Sequence, residues 1–188
     1  MPENQIPKYV APPDAKIIGL AIGAVVNSIL FDEIKPFFEK SMHAYGYSSI
    51  EINENEWYPL QMLLDTYKEI SQSGGGSPLL VSVGTKVIEN AILPPEIDSI
   101  AKCVTLLRDI SDLNLQNVPS EMNYQDIQVE PKRLSFIDNT VFPHDLIYGY
   151  VFGIARRFKV PGTHPTVERT YLNKENPDAA GARYLITW

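Results

Sequence analysis

Cysteine is almost absent: Cys103 is the single thiol among 188 residues. One thiol excludes an intramolecular disulfide and a cysteine-rich zinc site, and it fits a reducing compartment, so a cytoplasmic location is expected. Positive charge is also in deficit. Sixteen Lys and Arg face twenty-three Asp and Glu, a formal net charge of −7; a phosphate backbone calls for the opposite sign, so nucleic acid is not expected as a partner. Long apolar runs are missing as well. The stretch from Ile17 to Phe31 carries Asn27 and Ser28 and is shorter than the ~18 residues of a membrane span, so it reads as a buried helix. Asp32 and Glu33 follow it where a secretion signal would need a small-residue cleavage site. Histidine is scarce, with none between His43 and His144, which leaves no metal-ligand spacing and predicts no metal site. Neither a nucleophile elbow nor a Cys–His pair occurs, and Gly74-Gly75-Gly76 is not followed by the Lys-Ser or Lys-Thr of a phosphate cradle. The chain is expected not to be an enzyme.

What is present describes a globular domain. Apolar residues make up 44% and charged residues 21%, near the averages for folded proteins, and the length suits one domain. Pro2, Pro7, Pro12 and Pro13 make residues 1–16 an extended arm. Charge is uneven: residues 1–130 hold eight basic and eighteen acidic side chains, residues 131–188 eight and five.

Helical spacing of apolar residues occurs over 17–31, 33–45, 57–71, 79–92 and from Glu96 to about Asp112, where Ile97, Ile100, Ala101, Val104, Leu107 and Ile110 form one stripe. After Pro119 the period changes. Ile127 and Val129, then Leu134 and Phe136, alternate with polar neighbours around a Glu130-Pro131 turn, which predicts two strands. Pro143 opens a helix through Phe158, with Asp145 near its start and Arg156, Arg157 and Lys159 near its end. Gly149 and Gly153 share one face of it, so a neighbour is expected to press closely there. Thr163–Leu172 and Ala182–Trp188 read as two more strands. The expected fold class is α+β: a helical part over 17–118, then a strand-strand-helix-strand-strand part over 119–188 with one four-stranded antiparallel sheet.

The text of the second half resembles the heme nitric oxide/oxygen binding (H-NOX) superfamily, which also includes vinyl-reductase-type ligand-binding domains and the small dimerising subunits of the TRAPP vesicle-tethering complex. The stretch from Leu146 to Phe158, LIYGYVFGIARRF, is similar to that family's last long helix, and Ile18 to Val26, IGLAIGAVV, looks like the first helix of its heme-binding members. In those members a histidine on a helix before the sheet ligates iron, and a Tyr-x-Ser-x-Arg motif holds the heme propionates. Counting back from Gly149, the motif positions here carry Phe136, Asp138 and Thr140.

The resemblance implies an apolar cleft between the helical and sheet parts, the default place for a small molecule. Trp57, Tyr58, Cys103, Leu107, Phe136 and Tyr148 are its expected lining, with an apolar or aromatic molecule as partner. Any signal is expected to pass to a separate protein, which makes a sensor-type domain the leading reading. A TRAPP-subunit-like homodimerising module is one alternative. A divergent heme protein using His144 or Cys103 as axial ligand is the other, although no cofactor is expected. His43 reads as a complement to terminal helix carbonyls, and His164 as a loop residue.

Overall fold

A computed structural model describes residues 6–26, 31–159 and 161–188. A short strand β1 (Lys16–Ile18) leads directly into α1 (Gly19–Val26), followed by α2 (Phe31–Ala44), strand β2 (Trp57–Pro59), α3 (Leu60–Gln72), α4 (Gly76–Asn90) and α5 (Ile100–Asn114). A two-residue strand β3 (Leu115–Gln116) then joins the hairpin β4 (Tyr124–Glu130) and β5 (Arg133–Asp138). Helix α6 (His144–Arg157), strand β6 (Thr166–Tyr171), a 3-10 turn (Pro177–Ala179) and strand β7 (Ala182–Thr187) complete the chain. The α+β class and the strand-strand-helix-strand-strand order of the second part are as expected. Its antiparallel sheet runs β4-β5-β7-β6. Among the described residues no helix is long and apolar enough to cross a membrane.

Two expected helices begin differently. The 17–31 run contributes a strand residue pair and the short α1, and its positions 27–30 lie outside the described residues, as do positions 1–5 of the arm. The 57–71 segment starts as β2, because Trp57 and Tyr58 pair antiparallel with Ile18 and Ile17, and because Tyr58, preceding Pro59, is sterically turned away from helical geometry. Together with β3, these strands form a second, three-stranded sheet β2-β1-β3. Segments of two or three residues carry no periodicity, so this sheet left no trace in the sequence pattern.

The helices form where their apolar faces are continuous. Leu60, Leu63, Leu64, Tyr67 and Ile70 of α3 are all buried, spaced at three and four residues on one stripe. Gly74 and Gly75 lie in the turn between α3 and α4, and Gly76 is the first residue of α4. Ser99 caps α5 by accepting from the Lys102 N–H, which satisfies one of the orphan donors of that end.

Helix α6 is the spine of the fold. Its glycines meet α4 backbone to backbone: a Cβ on Gly149 would run into the Val81 carbonyl and lie 3.0 Å from the Gly84 Cα, and one on Gly84 would run into the Leu146 carbonyl. On its other side, Ile147, Val151 and Ile154 join Phe136, Tyr184 and Ile186 in the core beneath the sheet. Tyr184 also donates from its hydroxyl to the His144 carbonyl at 3.0 Å. Of the arm, residues 6–15 are irregular but tied down. The Lys8 and Tyr9 N–H groups donate to the carbonyls of Asp178 and Val141. The Lys8 ammonium, fully buried, reaches Asp138 Oδ2 and the Thr140 carbonyl, each at 2.7 Å.

Candidate ligand-binding cavity

A cavity of about 230 Å³ lies where α1, α3, α4, α5 and α6 converge on the first residue of β4. Helix α1 supplies Ala21, Ala24 and Val25; these small side chains leave space that Leu or Phe would fill. Val87 and Ile88 come from α4, and the stripe of α5 presents Cys103, Leu106, Leu107 and Ile110. Tyr67 of α3, Tyr124 of β4 and Tyr150 of α6 complete the wall with Phe142, whose ring holds Tyr67 edge-on at 6.4 Å. Ser111 and Asn114 are further polar members, and among the described residues no Lys, Arg or His lines the cavity. Its chemistry is therefore that of an apolar chamber with a few hydroxyl groups and no fixed charge, suited to neutral molecules.

Of the residues expected to line a cleft, Cys103 and Leu107 border this cavity, and Trp57, Tyr58, Phe136 and Tyr148 do not. Trp57 and Tyr58 belong to the small sheet. There Tyr58 stacks obliquely on Tyr47 at 5.3 Å, and its hydroxyl accepts from the Asn53 N–H. Phe136 is fully buried under the large sheet between Tyr184, stacked at 5.4 Å, and Tyr124, edge-on at 5.7 Å. Tyr148 and Tyr150, two residues apart on a helix, point about 200° apart. Tyr150 turns to the cavity, whereas Tyr148 lies under the Arg169 guanidinium at 5.4 Å and stacks on Phe152. The sequence reading missed Tyr67, Tyr124 and Tyr150. The signal available was a tyrosine at a position of the apolar stripe, as at Tyr67, where leucine would have served the core alone.

His144 is buried but faces elsewhere. Its ring meets Tyr171 edge-on at 5.0 Å, and its Nε2 lies 3.0 Å from the Pro177 carbonyl. A carbonyl only accepts, so Nε2 carries the proton and Nδ1 is the bare nitrogen, buried without a partner. Burial, followed by the Lys8 ammonium, lowers the pKa of this ring, and Arg169 adds to the effect; the Pro177 hydrogen bond and Asp138 oppose it without prevailing. The unfolded ring takes a proton near pH 6.5 and the folded one only at lower pH. Stability is therefore fully present above about pH 6.5 and is lost as pH falls through the folded value. Between pH 7 and pH 5, His144→Gln should lose less of its urea midpoint than the parent chain; equal losses would assign the acid sensitivity to other groups.

Heme does not fit this cavity. Its iron-ligating types of side chain are Cys103 and the tyrosines Tyr67, Tyr124 and Tyr150; burial pushes the thiol up to about 11 and raises all three phenols, so each is protonated at neutral pH, whereas iron takes the thiolate or the phenolate. Among the described residues no Lys, Arg or His lines the cavity to pair with propionates. The three positions of the Tyr-x-Ser-x-Arg motif are committed to the protein itself. Phe136 is sheet core, and Asp138 accepts from Lys8 and from the Thr140 N–H and hydroxyl. His144 is not among the residues around the cavity.

No protein-family profile matches the chain, and no curated protein matches it. Solved structures do. An H-NOX protein from S. oneidensis in the Fe(II)NO ligation state is similar over 90% of this chain and 98% of its own, with 10% identity and a TM-score of 0.61. A triply substituted mutant of an S. oneidensis H-NOX protein in the Fe(II) ligation state covers 91% of this chain and 95% of its own, with 11% identity and a TM-score of 0.62. A single-residue mutant of the T. tengcongensis H-NOX gives 90% and 96% coverage, 11% identity and a TM-score of 0.58. With its helical part, its strand-strand-helix-strand-strand part and the glycine-bearing α6 between them, the chain has the H-NOX-like fold.

Proposed function

We propose that this chain is a non-enzymatic binding domain of sensor type, which holds a compact neutral molecule in the cavity among α1, α3, α4, α5 and α6 without heme. The observation that carries the reading is the lining: apolar side chains, tyrosines and the neutral Ser111 and Asn114, with, among the described residues, no imidazole and no cation. A cavity of about 230 Å³ is smaller than the roughly 300–1,000 Å³ of drug-sized sites, yet larger than the apolar chamber of about 150 Å³ that takes up benzene. That size suits a single ring with a short substituent. The S. oneidensis structures are of H-NOX proteins in the Fe(II)NO and Fe(II) ligation states; the fold supports a ligand-binding role here, and the donor set directs it away from iron. A cytoplasmic location and a separate signalling partner belong to the same proposal.

The test has two arms. Protein expressed with ample heme supply should purify without a Soret band, and a stoichiometric band would overturn the heme-free reading. Toluene should raise the thermal midpoint with concentration, because binding to the native state alone adds about 2.7 kcal/mol at a hundredfold excess over Kd. For a chain of this size that is worth roughly 2–4 °C per kcal/mol. Leu107→Trp, which fills the cavity, should abolish the rise. A toluene response that survives the filling would place the binding site elsewhere.

A further inference from the structure

Besides Ser111 and Asn114, the polar groups of the cavity lining are the hydroxyls of three tyrosines. Tyr67 and Tyr124 are 1% and 5% exposed, so nearly all of each ring and hydroxyl is withdrawn from bulk water. Among the described residues, none accepts from or donates to the hydroxyl of Tyr67, Tyr124 or Tyr150. Tyr58 and Tyr184, by contrast, use theirs to bond backbone groups. A buried phenol without a partner costs stability, and folded proteins rarely leave one so. The hydroxyls of Tyr67, Tyr124 and Tyr150 are not among the fully enclosed, partnerless side-chain atoms of the described residues. The fully enclosed polar side-chain atoms that lack a partner are Ser41 Oγ, Asn139 Oδ1 and His144 Nδ1, and none of these three residues lines the cavity. All three tyrosines line the cavity, which is the space available to their hydroxyls. They also belong together: charge on Tyr150 would raise the pKa of both Tyr67 and Tyr124.

We infer that Tyr67, Tyr124 and Tyr150 form a hydrogen-bonding station that reads a neutral oxygen acceptor, a carbonyl or ether, on a single-ring ligand held in this cavity. The inference rests on the cavity reading above and names the chemical class of its occupant. The direction of the hydrogen bond follows from the environment. Burial raises the pKa of all three phenols, so they stay protonated and donate. A carboxylate is disfavoured because no Lys, Arg or His lines the chamber to offset its desolvation. A plain hydrocarbon fills the space but leaves three donors unanswered. Three phenols from three different elements, α3, β4 and α6, converge on one chamber, whereas a packing role needs no hydroxyl at any of the three positions.

Acetophenone and α-methylstyrene separate these contributions, since they share a shape and differ in C=O against C=CH₂. Their affinities are to be measured by calorimetric or NMR titration of the full chain. The parent protein should prefer acetophenone by about 2- to 12-fold, the worth of one net hydrogen bond. The bound ketone should show its C=O stretch at lower wavenumber than in hexane. In the triple variant Tyr67→Phe/Tyr124→Phe/Tyr150→Phe the preference and the spectral shift should both vanish, while α-methylstyrene binds as before. The thermal midpoint of that variant without ligand should hold or rise, because the deleted hydroxyls have no protein partner to lose. The single Tyr150→Phe variant gives the same reading at smaller amplitude should the triple variant fold poorly. Equal affinities in the parent, or a preference that survives in the variants, would overturn the station while leaving the cavity as a binding site. If neither molecule binds, the station and the cavity reading fall together.

Discussion

Replacing Gly149 with leucine is expected to destabilise the fold by about 1–3 kcal/mol or more through overpacking, roughly 2–4 °C of thermal midpoint for each kcal/mol. Two effects compete at this position. A glycine inside a helix is a handicap of about 0.8–1.0 kcal/mol relative to alanine, so a side chain would help an isolated helix. In the protein, the first carbon of any side chain at Gly149 meets the Val81 carbonyl, with the Gly84 Cα and the Thr85 N at 3.0 Å. These are backbone atoms of α4 and cannot rotate away, so the helices must separate and overpacking prevails. Gly153→Leu should cost less, since its nearest contacts, the Ile88 Cβ at 3.0 Å and the Thr85 carbonyl oxygen at 3.1 Å, are looser than the Val81 carbonyl contact at Gly149, so the helices need to give by only a few tenths of an ångström. Lys159→Ala, at an exposed position, should stay within about 0.5 kcal/mol of the parent. Urea unfolding midpoints in the order Lys159→Ala, Gly153→Leu, Gly149→Leu are the expected result. Coincident midpoints for Gly149→Leu and Lys159→Ala would mean that the α4–α6 contact bears no weight.

Lys8→Met should be of similar or greater consequence, although it alters an arm outside every regular element. Lys8 and Asp138 are both completely buried, with Nζ and Oδ2 2.7 Å apart. Removing the ammonium leaves a carboxylate in the interior whose remaining donors are the Thr140 N–H and hydroxyl. Breaking one side of a buried pair typically costs about 3–5 kcal/mol, much of it the desolvation of the partner left behind. Adding Asp138→Asn to Lys8→Met should recover a large part of the loss, because the amide keeps an oxygen for Thr140 and carries no charge. A double variant no more stable than the single one would show that the loss comes from the Lys8 stem and its packing, not from an unpaired charge.

Where local periodicity and tertiary environment agreed, the sequence was readable. The stripe through Ile97, Ile100, Val104 and Leu107 anticipates α5, which runs Ile100–Asn114, and the alternation on either side of Glu130-Pro131 anticipates the β4–β5 hairpin. The paired glycines predicted a close approach to α6, and the structure supplies its partner, α4 with Gly84. Where pairing is non-local, the reading failed. Trp57 and Tyr58 looked like the start of a helix because Leu60, Leu63 and Leu64 follow in helical register. They are a strand because Ile17 and Ile18, some forty positions earlier, provide an edge for them.

The amino-acid sequence by itself determined the class of fold and the order of the longer helices and of the large sheet's strands, since these depend on spacings of two to four residues that a longer segment carries alone; the two- and three-residue strands of the small sheet carry no such spacing. It also determined that Cys103 and Leu107 share the inner face of the helix that borders the cavity. Which aromatic rings surround that cavity was decided by tertiary structure. Phe136 became core because Tyr184 stacks on it from a strand nearly fifty residues later, and Tyr148 was claimed by Arg169. Tyr67, Tyr124 and Tyr150 were left to the cavity because three elements distant in sequence turn one tyrosine each toward the same space. An aromatic side chain reads the same in sequence whether it fills a core, supports a cation or borders a void; the distinction lies in what packs against it from elsewhere in the chain.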